Sequence, residues 1–224
     1  MKRELQLTFD GSHTIFIPSS GVTYHSKHGA IQESLHVFIE AGLMPVMQHQ
    51  KEIHVFEMGF GTGLNTLLTL QAATKQQKKV EYTAVELYPL TKEEYEALNY
   101  GATLQLQNEL EQIHTIPWER MEKINPFFSL YKTQTALQNF HSTQLFDVIY
   151  YDAFAPSAQP ELWTKDIFSQ LFSLLKDNGL LVTYCSKGEV RRAMQAVGFN
   201  VSKLPGAPGK REMLKAIKTN KNLL

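Results

Sequence analysis

From Val55 to Asn65 the chain reads Val-Phe-Glu-Met-Gly-Phe-Gly-Thr-Gly-Leu-Asn, a strand-like apolar run, three alternate glycines, then apolar residues at helical spacing through Leu67, Leu68 and Leu70. Glycines at a strand-to-helix turn let backbone approach a ligand closely. A dinucleotide fingerprint spaces them G-x-G-x-x-G, so that a pyrophosphate rests on the helix N-terminus. Here Gly59, Gly61 and Gly63 are spaced G-x-G-x-G, and Glu57 stands two residues before the first. A carboxylate at a strand end can accept from an ammonium group, which suits the amino-acid end of S-adenosylmethionine; a purely structural turn is the competing reading. Glu86 ends the next strand, 23 residues after Gly63, where an acid can accept from ribose hydroxyls. Tyr88 is placed to form a flat wall beside the nucleoside. After the third strand, Gln134 is the candidate contact for the adenine amino group, although a plain helix start also accounts for that segment.

Asp147-Val148-Ile149-Tyr150-Tyr151-Asp152-Ala153-Phe154-Ala155-Pro156 begins as a strand and leaves it with an acid, an aromatic and a proline. In an open α/β sheet that end faces the ligand crevice. Asp152 is therefore the catalytic candidate, able to orient an amine and take its proton, and it also counts among the cofactor contacts, as does Asn65. A helix or loop cap is its structural alternative. Phe154 and Trp163 are candidates to stack on a base or on adenine, while the periodicity of Ile167, Leu171 and Leu174 equally fits Trp163 to a core. Cys185, the lone cysteine, is expected to face the core as an inert thiol. Carbon methylation of a pyrimidine generally needs a covalent nucleophile, whereas an amine attacks a sulfonium directly. His25-x-x-His28 lacks the cysteines or acids of a metal signature, so no metal is expected.

The formal charge is zero, but it is unevenly spread. Residues 1–186 carry 13 Lys/Arg against 20 Asp/Glu, and residues 187–224 carry 9 against 2. Such an end can attract phosphate. Lys187, Arg191, Arg192, Lys210 and Arg211 are the candidates to contact an RNA backbone, because arginine forks to phosphate and lysine acts as a point charge. A solubilising tail is the other reading, with Lys218 and Lys221 expected in a frayed end.

These residues need a scaffold. At 224 residues, 43% hydrophobic and 20% charged, the chain is long enough for one catalytic domain with an appendage. After about residue 50, strands at Ile53–Met58, Val80–Val85, Phe127–Tyr131, Phe146–Tyr150 and Gly179–Cys185 alternate with helical patterns, which implies a mostly parallel, doubly wound sheet. Phe199–Leu204 and Glu212–Ile217 are joined by a Pro/Gly-rich run too short for a crossover helix and should pair antiparallel. Asp10-Gly11 predicts a small hairpin between Leu5–Phe9 and Thr14–Pro18. A helix is expected over Ala30–Ala41, stopped by Gly42, and Thr91-Lys92-Glu93-Glu94 has capping-box spacing. Residues 100–126 read as one helix and a loop. The domain expectation is an appendage over residues 1–45 packed on a methyltransferase domain over 46–224. No apolar run spans a bilayer and the start has no signal-peptide pattern, so the expected location is the cytoplasm, without membrane contact.

Several segments together resemble a known family. Gly29-x-x-x-Glu33-Ser34-x-x-Val37-Phe38, the 57–65 turn, Asp152-Ala153-Phe154-Ala155-Pro156 with Pro160-Glu161-Leu162-Trp163, Gly188-x-Val190-Arg191-Arg192-x-Met194 and Gly209-Lys210-Arg211-Glu212-Met213-Leu214 are similar to the methyltransferase domain of the bacterial enzyme that makes 5-methylaminomethyl-2-thiouridine at the tRNA wobble position. The resemblance covers about residues 5–217 and implies a Rossmann-like, seven-stranded class I S-adenosylmethionine-dependent methyltransferase. It implies methyl transfer to the exocyclic amine of a tRNA wobble 5-aminomethyl(-2-thio)uridine. It also implies that Glu57 and the three glycines hold the methionine end, Glu86 the ribose, Asp152 the amine, and that Glu33 closes over the site. Bifunctional relatives carry an FAD-dependent oxidase domain; this chain is expected to act without FAD, as a stand-alone methyltransferase. A small-molecule amine methyltransferase or aminopropyltransferase is the alternative enzyme reading, and a cofactor-binding scaffold without catalysis the alternative class.

Overall fold

The chain, seen in a computed structural model, is described over residues 2–219. It opens with β1 (Glu4–Leu7), β2 (His13–Ile17) and β3 (Val22–Thr23), paired antiparallel in the order β1-β2-β3. The expected hairpin is thus part of a three-stranded sheet. Its Asp10-Gly11 turn is heavily tied: Asp10 Oδ1 accepts from Thr8 Oγ1 and from Ser12 N, and Asp10 Oδ2 accepts from Gln32 N in the following helix.

That helix, α1 (Ala30–Ser34), runs through a π-helical stretch, Leu35–Leu43, into α2 (Met44–Met47). Gly42 does not stop it, contrary to the expectation from sequence. The glycine is there because the helix lies directly on the sheet, and a Cβ built on it would stand 2.9 Å from Val182 Cγ2 and 3.4 Å from the Tyr150 ring.

The rest alternates as expected: β4 (Glu52–Met58), α3 (Leu64–Gln76), β5 (Lys79–Val85), α4 (Lys92–Glu96), α5 (Tyr100–Leu104), α6 (Gln107–Thr115), β6 (Met121–Asn125), β7 (Phe128–Thr133), β8 (Phe146–Tyr151), α7 (Lys165–Leu174), β9 (Leu175–Thr183), α8 (Gly188–Val197), β10 (Phe199–Pro205) and β11 (Glu212–Lys218). The main sheet has eight strands in the order β10-β11-β9-β8-β4-β5-β7-β6. All seven expected strands are present, and the eighth, β6, comes from residues 100–126, which also hold two helices rather than one. Met121–Asn125 is an antiparallel edge strand with no buried residue, so it carries no apolar alternation to read. The capping box at Thr91 is present, with Glu94 Oε2 accepting from Thr91 N.

Five parallel strands form the centre. β8 is buried along its whole length, and its residues alternate between two cores: Val148 and Tyr150 face the layer of α3 and the π-helical stretch, Ile149 and Tyr151 the layer of α7 and α8. The chain leaves β4 in one direction through β5 and β7, and β8 and β9 lie on the other side. The switch point therefore falls between the adjacent ends of β4 and β8, where open α/β sheets bind ligands. Lys218 belongs to β11 and is not frayed, since its Nζ donates to Leu175 O at 2.7 Å; Lys221 and the rest of 220–224 lie outside the described residues. Among the described residues, no helix is long and apolar enough to cross a membrane.

Gly42→Val should destabilise the protein by about 1–3 kcal/mol through overpacking against Val182, whereas Glu40→Ala on the exposed side of the same helical run should change stability by less than about 0.5 kcal/mol. Urea unfolding of the two variants checks both values.

Candidate active site

β4 and β8 are in parallel register with Met58 opposite Tyr151, so their next residues, Gly59 and Asp152, emerge side by side. Asp152 N donates to Met58 O at 3.2 Å, and Gly59 N donates to Val85 O at 3.0 Å, which fixes the glycine turn to the ends of three strands. Gly59, Gly61 and Gly63 all have positive φ, at 92°, 50° and 73°. The turn ends at the start of α3, whose N-terminus no side chain caps. Leu64 and Asn65, the first residues of that helix, line a cleft of about 380 Å³ together with the glycine turn, Glu86, Tyr88, Asp152 and Phe154. That size lies in the range of small-molecule sites.

The cleft rests on a buried polar network. Asn65 Nδ2 donates both to Glu57 Oε1 and to Asp152 Oδ2, each at 2.9 Å, and Thr66 Oγ1 donates to Glu57 Oε2 at 3.1 Å. Two carboxylates facing one amide nitrogen settle which way that amide points. Its oxygen, Oδ1, is left buried without a hydrogen-bond partner. Glu57 is 0% exposed, so it does not reach a ligand's ammonium as expected from sequence; it aims Asn65, which does line the cleft. Burial pushes Glu57 up to about 8. Burial first, then the negative charge of Glu33, pushes Asp152 up to about 7. A carboxyl poised there can exchange a proton at neutral pH.

Glu86 sits at the rim with Oε2 accepting from Gly61 N at 3.0 Å and Oε1 from Tyr88 N at 2.8 Å. Phe154 lines the opposite side and meets Tyr24 edge to face at 5.1 Å. Two expected contacts lie elsewhere. Gln134 is exposed, with its backbone N donating to Glu119 Oε1, and Thr135, Ala136 and Gln138 line the cleft in its place. Trp163 is buried against Tyr151 and Phe168 and donates its Nε1 to Phe154 O, so it is core that supports Phe154 and not a free stacking surface.

Of the basic candidates, Lys210 lies nearest this chemistry. Its Nζ is paired with Glu33 Oε1 and stands 4.0 Å above the Tyr184 ring, while Glu33 Oε2 accepts from Ser26 N. Glu33 is thus buried beneath the β10–β11 connection. Arg211 and Arg192 are exposed, Arg191 is half-buried, and Lys187 pairs with Glu189 at 3.8 Å.

Sequence reasoning missed the residues that back the turn. Tyr24 covers it, with its ring 3.2 Å from where a Gly61 Cβ would lie. His114 Nε2 lies 3.0 Å from Thr62 O, and Lys132 Nζ donates to Ile113 O and His114 O from inside the fold. Burial holds His114 and His25 down at about 4 and lowers Lys132 to about 8. No motif marks Tyr24, His114 or Lys132 for this role, because their neighbours are far away in sequence. His25 is spent on Thr14 and Thr62, and among the described residues no group of His, Cys, Asp and Glu could hold a metal ion.

The cleft fits S-adenosylmethionine by its donor set. The orphaned Asn65 Oδ1 needs a donor such as an ammonium, the uncapped N-terminus of α3 can receive a carboxylate, and Glu86 can accept from hydroxyls. A family profile described as S-adenosyl-L-methionine-dependent methyltransferase matches residues 103–219, and the chain belongs to that family. Among its relatives, the tRNA 5-methylaminomethyl-2-thiouridine biosynthesis bifunctional protein MnmC of Cupriavidus metallidurans is 30% identical over 92% of this chain and 32% of that protein. The protein of the same name from Burkholderia mallei is 31% identical over 93% of this chain and 34% of its own length. The chain therefore spans about a third of the length of these curated relatives. The crystal structure of MNMC2 from Aquifex aeolicus superposes with a TM-score of 0.81 at 26% identity, over 96% of this chain and 69% of that one.

Gly61→Val should weaken S-adenosylmethionine binding by about tenfold or more, since a left-handed residue and a Cβ against Tyr24 together cost on the order of 1–3 kcal/mol; calorimetry on the folded variant reads this directly. Glu57 and Asp152 hold protons in the native state that the unfolded chain releases near its ordinary values of 4.5 and 3.8. Their contribution to stability is therefore full below about pH 4 and is lost as pH rises through about 7 to 8. Melting temperatures of the wild type should fall across that window, and those of Glu57→Gln should fall less.

Proposed function

We propose that this chain transfers a methyl group from S-adenosylmethionine to the exocyclic amine of 5-aminomethyl(-2-thio)uridine at the wobble position of tRNA. The observation that carries this reading is that the similarity to proteins named for 5-methylaminomethyl-2-thiouridine biosynthesis extends over about nine-tenths of the chain and includes every strand end that builds the cleft. Asn65 and the α3 N-terminus would hold the methionine end of the cofactor, and Glu86 its ribose. When bound, S-adenosylmethionine supplies an electrophilic methyl group.

What the chain must add is a neutral, oriented amine. An aminomethyl group is largely protonated at neutral pH, and its lone pair becomes available only when a proton leaves. Asp152, ionised above about 7, accepts a hydrogen bond from that amine and takes the proton, while Asn65 Nδ2 fixes the carboxylate's direction. Phe154, backed by Trp163, offers a wall for the base. Cys185 stays outside the chemistry, because burial raises its thiol, and an amine needs no covalent activation. Most of the rate then comes from position. Spermidine synthase from Thermotoga maritima shares the fold, with a TM-score of 0.54 at 14% identity, but the excess of cations in the last 38 residues disfavours a polycationic substrate.

Undermodified tRNA incubated with the protein and S-adenosylmethionine should gain one methyl group on its aminomethyluridine, read by mass analysis of the digest; a tRNA left unchanged by active, cofactor-binding protein sinks the assignment. Under single-turnover conditions the rate should rise with pH to a plateau, with its midpoint near 7. Asp152→Asn should lower the rate at pH 8 by at least about tenfold and remove that midpoint, with cofactor affinity kept within a few-fold.

A further inference from the structure

Phe9 is 82% exposed, an unusual place for a large aromatic side chain on a backbone held this firmly. Its N–H donates to Lys27 O at 2.9 Å, and the turn it begins is tied down by Thr8, Asp10 and Ser12. The side chain is therefore presented outward on a rigid mount. Its ring meets His28 edge to face at 5.4 Å. His28 is itself exposed and lies over Gly209, where a Cβ would overlap its ring. Gly209 is followed by Lys210, which pairs with Glu33, and Glu33 is close enough to bear on the charge of Asp152. A series of contacts thus runs from an exposed aromatic through Gly209, Lys210 and the buried Glu33 toward Asp152, joining two parts of the chain about 200 residues apart.

Cations adjoin these contacts. Lys27, the residue before His28, and Arg211, two residues after Gly209, are both exposed. Glu212 is held below its usual range by Lys203, with Arg211 and Arg191 adding to the positive surroundings. Exposed, preorganised aromatic faces beside unpaired positive charge are what single-stranded nucleic acid uses, since every base has a face to stack and every nucleotide a phosphate to neutralise. A protein partner would find a surface rich in cations at its centre, which protein interfaces disfavour in the case of lysine.

We infer that Phe9 and His28 form a stacking platform for the unpaired bases beside the wobble nucleotide, with Lys27 and Arg211 on the adjoining phosphates, so that the loop is gripped by the β1–β2 turn and the β10–β11 connection together. This rests on the tRNA reading above and goes further by assigning part of the grip to the N-terminal sheet. The platform touches the loop and neither the cofactor nor the reacting amine, so its contribution belongs to binding rather than to the chemical step.

The test uses a fluorescent anticodon stem–loop RNA with an unmodified wobble uridine, titrated into the full-length protein over a series of salt concentrations. Phe9→Ala should weaken binding by about tenfold, the scale of one lost base stack, with the salt slope unchanged. Arg211→Ala should weaken it and flatten the slope of log affinity against log salt by about 0.7, the single-strand value per phosphate. Phe9→Trp should restore the affinity, which a merely structural role for the position would not do, and cofactor affinity should stay the same in all three. Wild-type affinity in Phe9→Ala overturns the platform, as does the absence of stem–loop binding by the wild type. Methyl transfer to whole tRNA by the wild type is measured separately, so a failed platform with intact transfer leaves the enzymatic assignment standing, and failed transfer is recognised as the loss of that assignment.

Discussion

One amide nitrogen between two carboxylates orders the centre of this molecule. Asn65 is 3% exposed, and its Nδ2 is shared by Glu57 behind it and Asp152 in front. The strand ends set this distance, because β4 delivers Glu57 and β8 delivers Asp152 in a register that admits one short polar side chain from the helix between them. An apolar residue there would leave two buried acids without their shared donor, at the full cost of unsatisfied polar groups. Burial raises both acids toward neutrality against the opposing pull of the shared amide donor, and the network leaves one amide oxygen buried beside the cleft with nothing to accept from. In the reaction proposed above, cofactor recognition and the placement of the base would be a single arrangement, seen from opposite sides of Asn65.

Much of this was legible in the sequence. Alternating apolar runs and helical periodicity located all seven expected strands, and Gly59-x-Gly61-x-Gly63 and Asp152 marked the two strand ends that meet at the switch point. The local rules worked where a residue's partner is close by, as at the Thr91 capping box. They were weaker where the partner is remote. Gly42 looks like a helix stop in one dimension, and only the sheet packed against it explains why a glycine is required there. Glu57 reads in the sequence as an acid at a strand end free to meet a ligand, and nothing in a sequence says that its side chain turns inward to Asn65 and Thr66. For Trp163 the periodicity with Ile167, Leu171 and Leu174 offers the core as one of two readings, and Tyr151 and Phe168, which come from different elements, decide for it. Gln134 missed the cleft by one residue, which is the usual resolution of a loop read without its neighbours.

The N-terminal segment is more than a cover. Tyr24 rests on the glycine turn, His25 joins Thr14 to Thr62, Arg3 reaches Glu94 and the backbone at Pro89, and Tyr100 donates to His13 O. Arg3, Ile17, Ser20, Val22, Tyr24 and His25 line the cleft, so it is built from the first quarter of the chain as well as from the Rossmann-like core. The family profile begins only at residue 103, and the glycine turn and the wall opposite it both precede that point.

The pairing of Glu33 with Lys210 closes a loop of 177 residues. Contacts of such separation form late, because the chain entropy lost in closing the loop must be offset by structure already in place. During synthesis, the core strands β4, β5, β7 and β8 can assemble as they emerge, but Glu33 has no cationic partner until the final hairpin leaves the ribosome. Until then Glu33 has neither its cation nor the cover that the β10–β11 connection gives it. The surroundings that set the charge on Asp152 are thereby coupled to the docking of that hairpin, and a nascent chain that already holds most of its sheet is still without them.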